Sequence, residues 1–475
     1  MKIHKNRFYN FYFMETPSGC VLTNDSCSCI LTSKKEFHGF ISGNSPSPAT
    51  RKMLQENFFD RESLDFDGLA AVYRQNYLMD WKGPHVHIIS VTNRCNSNCV
   101  YCSAASVQSL KKSADMNFRT ARKVVNFIFQ SGAQDLLIEF QGGEPLLNFK
   151  TVRFIINYAR HKGREEKKSA NFSIVTNLCA MNEEKLDFLV KNKTSFCTSL
   201  DGPKDLHDLN RKFSGGSGYE LVSKRLKKLN DLAGRGVIEK PHAICTVTRF
   251  SLLRHKDIID EYVKQGLFRI QLAPLDPIGR AKLVWDKVGY TADRFLDFYA
   301  KALNYILDIN RKSGIPVYEK GALMFVSQIM TGKRPRYQNL DLFYRCAYDR
   351  DGGIYGSDEA RLLADSGDMF LKLGDAGTED FKTVLTKPIA RAMLLSAFPG
   401  LTRPACARCA CAPFCRLNPA YNYAFQKSFW GSMPSNERCM IYKGIFRMIF
   451  EMMRKPKIQK IFRKWLDNSS NLRSD

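Results

Sequence analysis

Asp135-Leu136-Leu137-Ile138-Glu139-Phe140-Gln141 runs directly into Gly142-Gly143-Glu144-Pro145. A mostly apolar heptapeptide closed by two glycines and a proline reads as a buried strand entering a tight turn. Upstream, 118–130 reads as a helix with Val124, Val125, Ile128 and Phe129 on its apolar face, and 85–92 as an earlier strand. Downstream, helices at 152–160, 183–191, 220–232 and 257–264 alternate with strands at 171–176, 195–200, 242–248 and 268–273. Such alternation predicts an α/β fold, a parallel sheet covered by helices. Six units close part-way into a (β/α)6 barrel; an open doubly wound sheet is the alternative. Both architectures place the reactive site at the C-terminal ends of the strands.

The flanks read differently. Residues 1–82 form a small α+β module: Phe8 to Phe13 is strand-like, Pro17-Ser18-Gly19 is a turn, and Cys20-Val21-Leu22-Thr23 is a return strand. Ser33-Lys34-Lys35-Glu36 is a capping box for a short helix bearing Phe37, Phe40 and Ile41, and Ser42 to Pro48 is a loop. This module either covers an edge of the next domain or binds a peptide by strand addition. The barrel spans 83–335. Residues 336–445 are rich in Cys, Gly and Pro, with a short strand at Gly353-Ile354-Tyr355, and 446–475 is a basic amphipathic helix ending in the polar stretch Asn468 to Asp475.

Composition excludes several classes. The 475 residues are 44% hydrophobic and 12% aromatic, a folded composition. No run reaches the roughly 18 apolar residues of a membrane helix, and the N-terminus lacks a signal-peptide core, so a cytoplasmic protein is expected. The formal charge is +25, from 72 Lys and Arg against 47 Asp and Glu. The cations are scattered, with local runs such as Arg164-Glu165-Glu166-Lys167-Lys168 and Arg454-Lys455-Pro456-Lys457, and no nucleic-acid-binding signature accompanies them. They read as solvated faces with a general attraction for acidic partners, not specific nucleic-acid binding.

There are 15 cysteines, an odd number in a long chain, which argues against a disulfide scaffold. Cys179, Cys197 and Cys245 lie in apolar runs and read as small core residues. The first cluster is Thr92-Asn93-Arg94-Cys95-Asn96-Ser97-Asn98-Cys99-Val100-Tyr101-Cys102, directly after the first barrel strand. Three thiolates on one tight loop suit three irons of a 4Fe–4S cubane and leave the fourth iron open. Structural zinc takes four ligands, and the polar Asn96, Ser97 and Asn98 do not suit a buried core.

This loop resembles that of the radical S-adenosylmethionine enzymes, whose signature is C-x3-C-x2-C with an aromatic before the last Cys, here Tyr101. The resemblance implies that Cys95, Cys99 and Cys102 hold the cluster. It also implies that S-adenosylmethionine chelates the open iron and that reductive cleavage yields a 5′-deoxyadenosyl radical. Gly142, Gly143 and Glu144 match the family's Gly-Gly-Glu-Pro motif, whose glutamate meets the methionine amine. Asn177 ends the third strand. By the same resemblance Ser199 and Arg211 contact the cofactor's ribose or carboxylate, for which an Arg fork is well shaped, and Leu272 contacts the adenine.

The second cluster is Cys406, Cys409, Cys411 and Cys415, with Cys439 beyond. Cys406, Cys409, Cys415 and Cys439 resemble the SPASM extension of peptide-modifying radical enzymes, where four cysteines hold one auxiliary 4Fe–4S cluster; tetrahedral zinc is the competing reading. A second auxiliary cluster does not fit, because Ser357 stands where a Cys is common and Asn418 or Pro419 where the last ligand falls. Cys346 then reads as a leftover thiol and Cys411 as an extra or alternative ligand, while Cys27 and Cys29 match no motif. At subfamily level the chain resembles the maturases of His-Xaa-Ser peptide systems, through Ser357-Asp358-Glu359-Ala360-Arg361, Pro419-Ala420-Tyr421-Asn422-Tyr423 and Pro434-Ser435-Asn436-Glu437-Arg438-Cys439. Anaerobic sulfatase maturases are relatives with the same architecture.

The function expected is therefore a radical maturase acting on a ribosomally made peptide or protein, fed by a reduced flavodoxin or ferredoxin-type donor. A sulfatase-type maturase, an iron–sulfur carrier or scaffold without radical chemistry, and a zinc-ribbon nucleic-acid protein are the alternatives. No motif identifies a catalytic base.

Overall fold

A computed structural model describes residues 10–470 apart from 43, 45–46, 62, 78–81, 105, 107–113, 334–340, 397 and 416. Three strands open the chain: β1 (Tyr12–Thr16), β2 (Gly19–Thr23) and β3 (Cys29–Thr32). There follow β4 (Val86–Ser90), β5 (Ser97–Cys99), β6 (Asp135–Gln141), β7 (Ser169–Thr176), β8 (Ser195–Ser199), β9 (Arg211–Phe213), β10 (His242–Val247), β11 (Arg269–Pro274) and β12 (Tyr318–Glu319). The last three are β13 (Arg345–Tyr348), β14 (Gly353–Tyr355) and β15 (Lys372–Asp375).

The strands β4, β6, β7, β8, β10 and β11 lie side by side and parallel, as the six-unit reading predicts. They belong to one ten-stranded sheet of order β12-β11-β10-β8-β7-β6-β4-β13-β14-β15. The strands are not buried equally on both faces. In β6, Leu136, Ile138 and Phe140 are fully buried against the helices, whereas Leu137, Glu139 and Gln141 are half-buried on the concave face. That alternation leaves the concave face wetted and able to receive a ligand. The covering helices form where expected: Phe118–Ile128 starts at Asn117, whose side chain accepts from the Thr120 N–H, and buries Val124, Val125 and Ile128.

Three expectations change. The leading module gains a third strand, β3, that the turn signals did not reveal, and its first strand starts at Tyr12; Phe8 and Tyr9 lie outside the described residues. Ser33 caps the helix Lys34–Ile41 as read, while Pro48 opens a further helix, Pro48–Glu56, where a loop was expected. The strands of the 336–445 region do not stand apart: β13 pairs in parallel with β4, and β14 and β15 continue the barrel sheet.

The C-terminal tail is two helices, Glu437–Met453 and Pro456–Ser470. Phe462 and Trp465 are fully buried, and the Trp465 indole N–H donates to Asn310 Oδ1 at 3.2 Å on the long helix Ala292–Ser313. Aromatic burial of this kind contributes about 2 kcal/mol per side chain, so the basic stripe is the outer face of a docked helix. Residues 471–475 lie outside the described residues.

Candidate functional site

The first cysteine loop leaves the C-terminal end of β4 and is held from several strand ends. Arg94 makes a two-pronged pair with Asp115 (2.8 Å on each prong) and donates to the Leu147 carbonyl at 2.9 Å. The turn after β6 lies against this loop: Gly143 N–H donates to the Thr92 carbonyl at 2.7 Å and Glu144 N–H to the Arg94 carbonyl at 2.8 Å. A Cβ on Gly143 would sit 2.3 Å from the Arg94 oxygen, and one on Gly142, whose φ is +139°, 2.3 Å from the Thr92 oxygen. The glycine pair is needed so that the cysteine loop can lie down, and not only for a ligand's approach. A three-residue register then zips the loop: β5 pairs antiparallel with β9, Cys99 opposite Arg211.

Cys95, Cys99 and Cys102 are each half-buried. Burial pushes the Cys95 thiol up to about 12, with Glu144 and the other two thiols adding to it. Burial raises Cys99 to about 11, opposed by Arg211. The three thiols thus feel one another, yet among the described residues no three His, Cys, Asp or Glu side chains gather closely enough to hold a single metal ion. Three thiols on one loop, each at a separate corner, are the ligand set that a 4Fe–4S cubane with one open iron would need.

The other predicted residues fall into two groups. Asn177 and Arg211 come to the loop. Asn177 Nδ2 donates to Asn96 Oδ1 at 2.8 Å and Ser97 Oγ at 3.1 Å and stands 3.9 Å from Cys95 Sγ. Arg211 Nη1 lies 3.9 Å from Cys99 Sγ, and burial works against its charge, but Asp201, Tyr101 and Cys99 together more than offset it and hold it protonated. Ser199 ends β8 on the concave face. Tyr101, Glu144 and Leu272 are buried. The Tyr101 hydroxyl donates to Asp201 Oδ2 at 2.7 Å beneath the Arg211 guanidinium. Glu144 is fully buried and accepts from Thr176 Oγ1 (2.7 Å), Asn177 N–H (2.8 Å) and Leu146 N–H (3.1 Å), which spends its carboxylate on joining the ends of β6 and β7. Leu272 packs in the core on the helix side of β11, because strand alternation gives the concave face to Gln271 and Ala273.

Two buried donors around this loop lack acceptors: Asn210 Nδ2, and Arg211 Nε, which is 3.3 Å from Asp201 Oδ2 but misaligned. A buried donor left unpaired costs about 1–3 kcal/mol. Two of them beside three thiols fit a ligand rich in acceptors, as S-adenosylmethionine is. Sequence reading missed Asp115, Asn210 and Arg280 as parts of this site; Asp115 lies just before a predicted helix, while Asn210 and Arg280 lie between predicted elements with no local signal.

The second cysteine region gathers without strands. Cys406 packs with Leu417, Tyr421 and Met433, and Cys415, Cys439 and Tyr442 pack against that group. Cys439 sits in the first turn of Glu437–Met453, its N–H donating to the Asn436 cap at 2.9 Å. A hydrogen bond from Cys411 holds Cys409 down to about 6, while burial raises Cys415 to about 12 and Cys439 to about 11. Positions relevant to a second auxiliary cluster have other work. Cys346 is fully buried in β13, Ser357 caps Asp358–Asp365, and Asn418 caps Pro419–Gln426 while donating to Glu359 at 2.9 Å.

Residues 89–248 match the Radical SAM superfamily. The chain carries a radical SAM domain. It is 25% identical over 366 residues, 75% of this chain and 92% of the relative, to the cysteine-type anaerobic sulfatase-maturating enzyme of Clostridium novyi (strain NT). Other curated relatives are matched over 56% and 51% of their length. Among solved structures it is similar to anSMEcpe with bound AdoMet and the Cp18Cys peptide (TM-score 0.65, 18% identity, 80% of this chain and 99% of that one). It is also similar to Streptococcus suis SuiB bound to precursor peptide SuiA (TM-score 0.53, 14% identity, 89% and 97%). The chain is thus a radical SAM enzyme with the fold of these structures, and the family implies a 4Fe–4S cluster and S-adenosylmethionine. No helix among the described residues is long and apolar enough to cross a membrane.

Proposed function

We propose that this radical SAM enzyme is a cytoplasmic maturase that modifies a ribosomally made peptide or protein. The observation that carries this reading is a loop of three half-buried thiols at the strand ends, bordered by buried donors that lack acceptors. Cys95, Cys99 and Cys102 hold the first cluster. When bound, that cluster and S-adenosylmethionine supply a 5′-deoxyadenosyl radical that takes a hydrogen atom from the substrate.

The chain's own residues do the rest. Asn177 and Arg211 pin the loop, and Arg211 and Asn210 offer donors to the cofactor's carboxylate and ribose, with Ser199 on the concave face beside them. Gly142, Gly143 and Glu144 set the turn against which the loop rests, Tyr101 buttresses Asp201, and Leu272 packs in the core near the end of β11. Cys406, Cys409, Cys415 and Cys439 hold one auxiliary 4Fe–4S cluster wrapped in apolar side chains, suited to electron storage. Residues 83–335 are the catalytic barrel, 336–445 the auxiliary-cluster region and 446–475 a helical brace. The module 1–82 receives peptide, and a flavodoxin or ferredoxin-type protein delivers the electron. Likeness to structures crystallised with peptides supports a peptide substrate.

Anaerobic reconstitution tests the reading. Iron and sulfide near eight each per chain, with 5′-deoxyadenosine formed from S-adenosylmethionine and a reductant, are expected. The Cys95→Ala, Cys99→Ala, Cys102→Ala triple variant should form none. Zinc as the only bound metal, or undiminished 5′-deoxyadenosine from the triple variant, would refute it.

A further inference from the structure

The cysteine loop is gripped from a side that the family motifs do not cover. After β11 the chain turns at Gly279, whose φ is +61°, and lies directly on the loop: a Cβ there would meet the Ser103 oxygen at 2.4 Å and the Cys102 oxygen at 2.7 Å. The next residue then makes three contacts with the loop. Arg280 N–H donates to the Cys102 carbonyl at 2.9 Å, and its guanidinium donates to the Cys99 carbonyl at 3.0 Å and to Asn98 Oδ1. Both acceptors of its guanidinium, the Asn98 amide oxygen and the Cys99 carbonyl, are uncharged. Arg211 differs: it approaches Cys99 from β9 and is matched by Asp201.

We propose that Arg280 is a positioning residue of the first cluster: it clamps the cysteine loop to the exit of β11 and sets an uncompensated cation beside Cys99. This rests on the reading above that Cys99 carries iron. Two carbonyls at ligand positions are fixed by one residue, so the loop cannot open between Cys99 and Cys102 without breaking both bonds. A cation whose acceptors are uncharged favours the more negative, reduced state of any group the loop holds, because Coulomb energy scales with net charge at short range. Lysine keeps the charge but not the planar guanidinium whose Nη1 donates to Asn98 and Cys99 together.

The test uses the full chain. Amide exchange of 97–103 in metal-free protein should quicken by about tenfold in both Arg280→Gln and Arg280→Lys, as loss of one or two hydrogen bonds implies. After anaerobic reconstitution, an EPR-monitored titration should give Arg280→Gln a more negative midpoint, with Arg280→Lys close to wild type. Wild-type exchange and a wild-type midpoint in Arg280→Gln would overturn the proposal. If that variant does not fold, Asn98→Ala removes one acceptor and keeps the charge; unchanged exchange there overturns the clamp. Wild-type protein that binds no EPR-active cluster would instead sink the functional reading, and exchange in metal-free protein would still decide the clamp.

Discussion

The two cysteine regions solve different problems with the same side chain. The first is a loop hung on a sheet: its partners are polar, namely Asn177, Arg211 and Arg280, and its thiols look towards unpaired donors. The second is a knot of short turns and a helix start, wrapped by Leu417, Tyr421 and Met433, with five thiols where a closed cubane needs four. A reactive centre needs an open corner and directed hydrogen bonds. An electron store needs a closed shell and a low-dielectric coat. The contrast teaches that thiol count alone does not tell them apart; their neighbours do.

Replacing ligands in the second region is the sharpest way to break this contrast. Cys406→Ala with Cys409→Ala should cut modified peptide by more than about a hundredfold while 5′-deoxyadenosine formation persists, measured in one anaerobic assay by mass spectrometry and chromatography. Loss of both activities together would make the two regions one functional unit. Acid comes next. Burial pushes His207 down from 6.5 to about 4, and its Nδ1 accepts from the Asp201 N–H. The unfolded chain takes up the proton first as pH falls, so stability is full above about pH 6.5 and declines towards pH 4 by about 3 kcal/mol. Urea titrations at pH 7.5 and 4.5 should show that decline, and His207→Gln should remove the share due to this group. The smallest effect is at Ser357, whose hydroxyl accepts from the Ala360 N–H at 3.2 Å. Ser357→Ala should lose about 1 kcal/mol in the same titration, whereas Ser357→Cys with new iron uptake would show that the position still belongs to a metal site.

The barrel was legible because each strand is short, apolar and followed by an amphipathic helix, and the cysteine loop because its spacing is rare. What the sequence hid has physical reasons. Tyr101, Glu144 and Leu272 belong to suggestive motifs, but the burial and partners of their side chains depend on tertiary contacts that local sequence does not encode. The β5–β9 ribbon is three residues on each side and polar, so it carries no periodic signal. Arg280 is 178 residues from Cys102, and only the curvature of the sheet brings the two together. The tail's Phe462 and Trp465 lie three apart on one helix face, which marks a packed helix but not its partner.

The parallel pairing of β13 with β4 has a practical consequence. A fragment ending at residue 335 keeps every motif of the first site, yet strips the neighbour from the strand that launches the cysteine loop. The exposed N–H and C=O groups of β4 would then recruit strands from other molecules. The barrel is therefore not excisable, and attempts to isolate it should yield aggregates in place of a minimal enzyme.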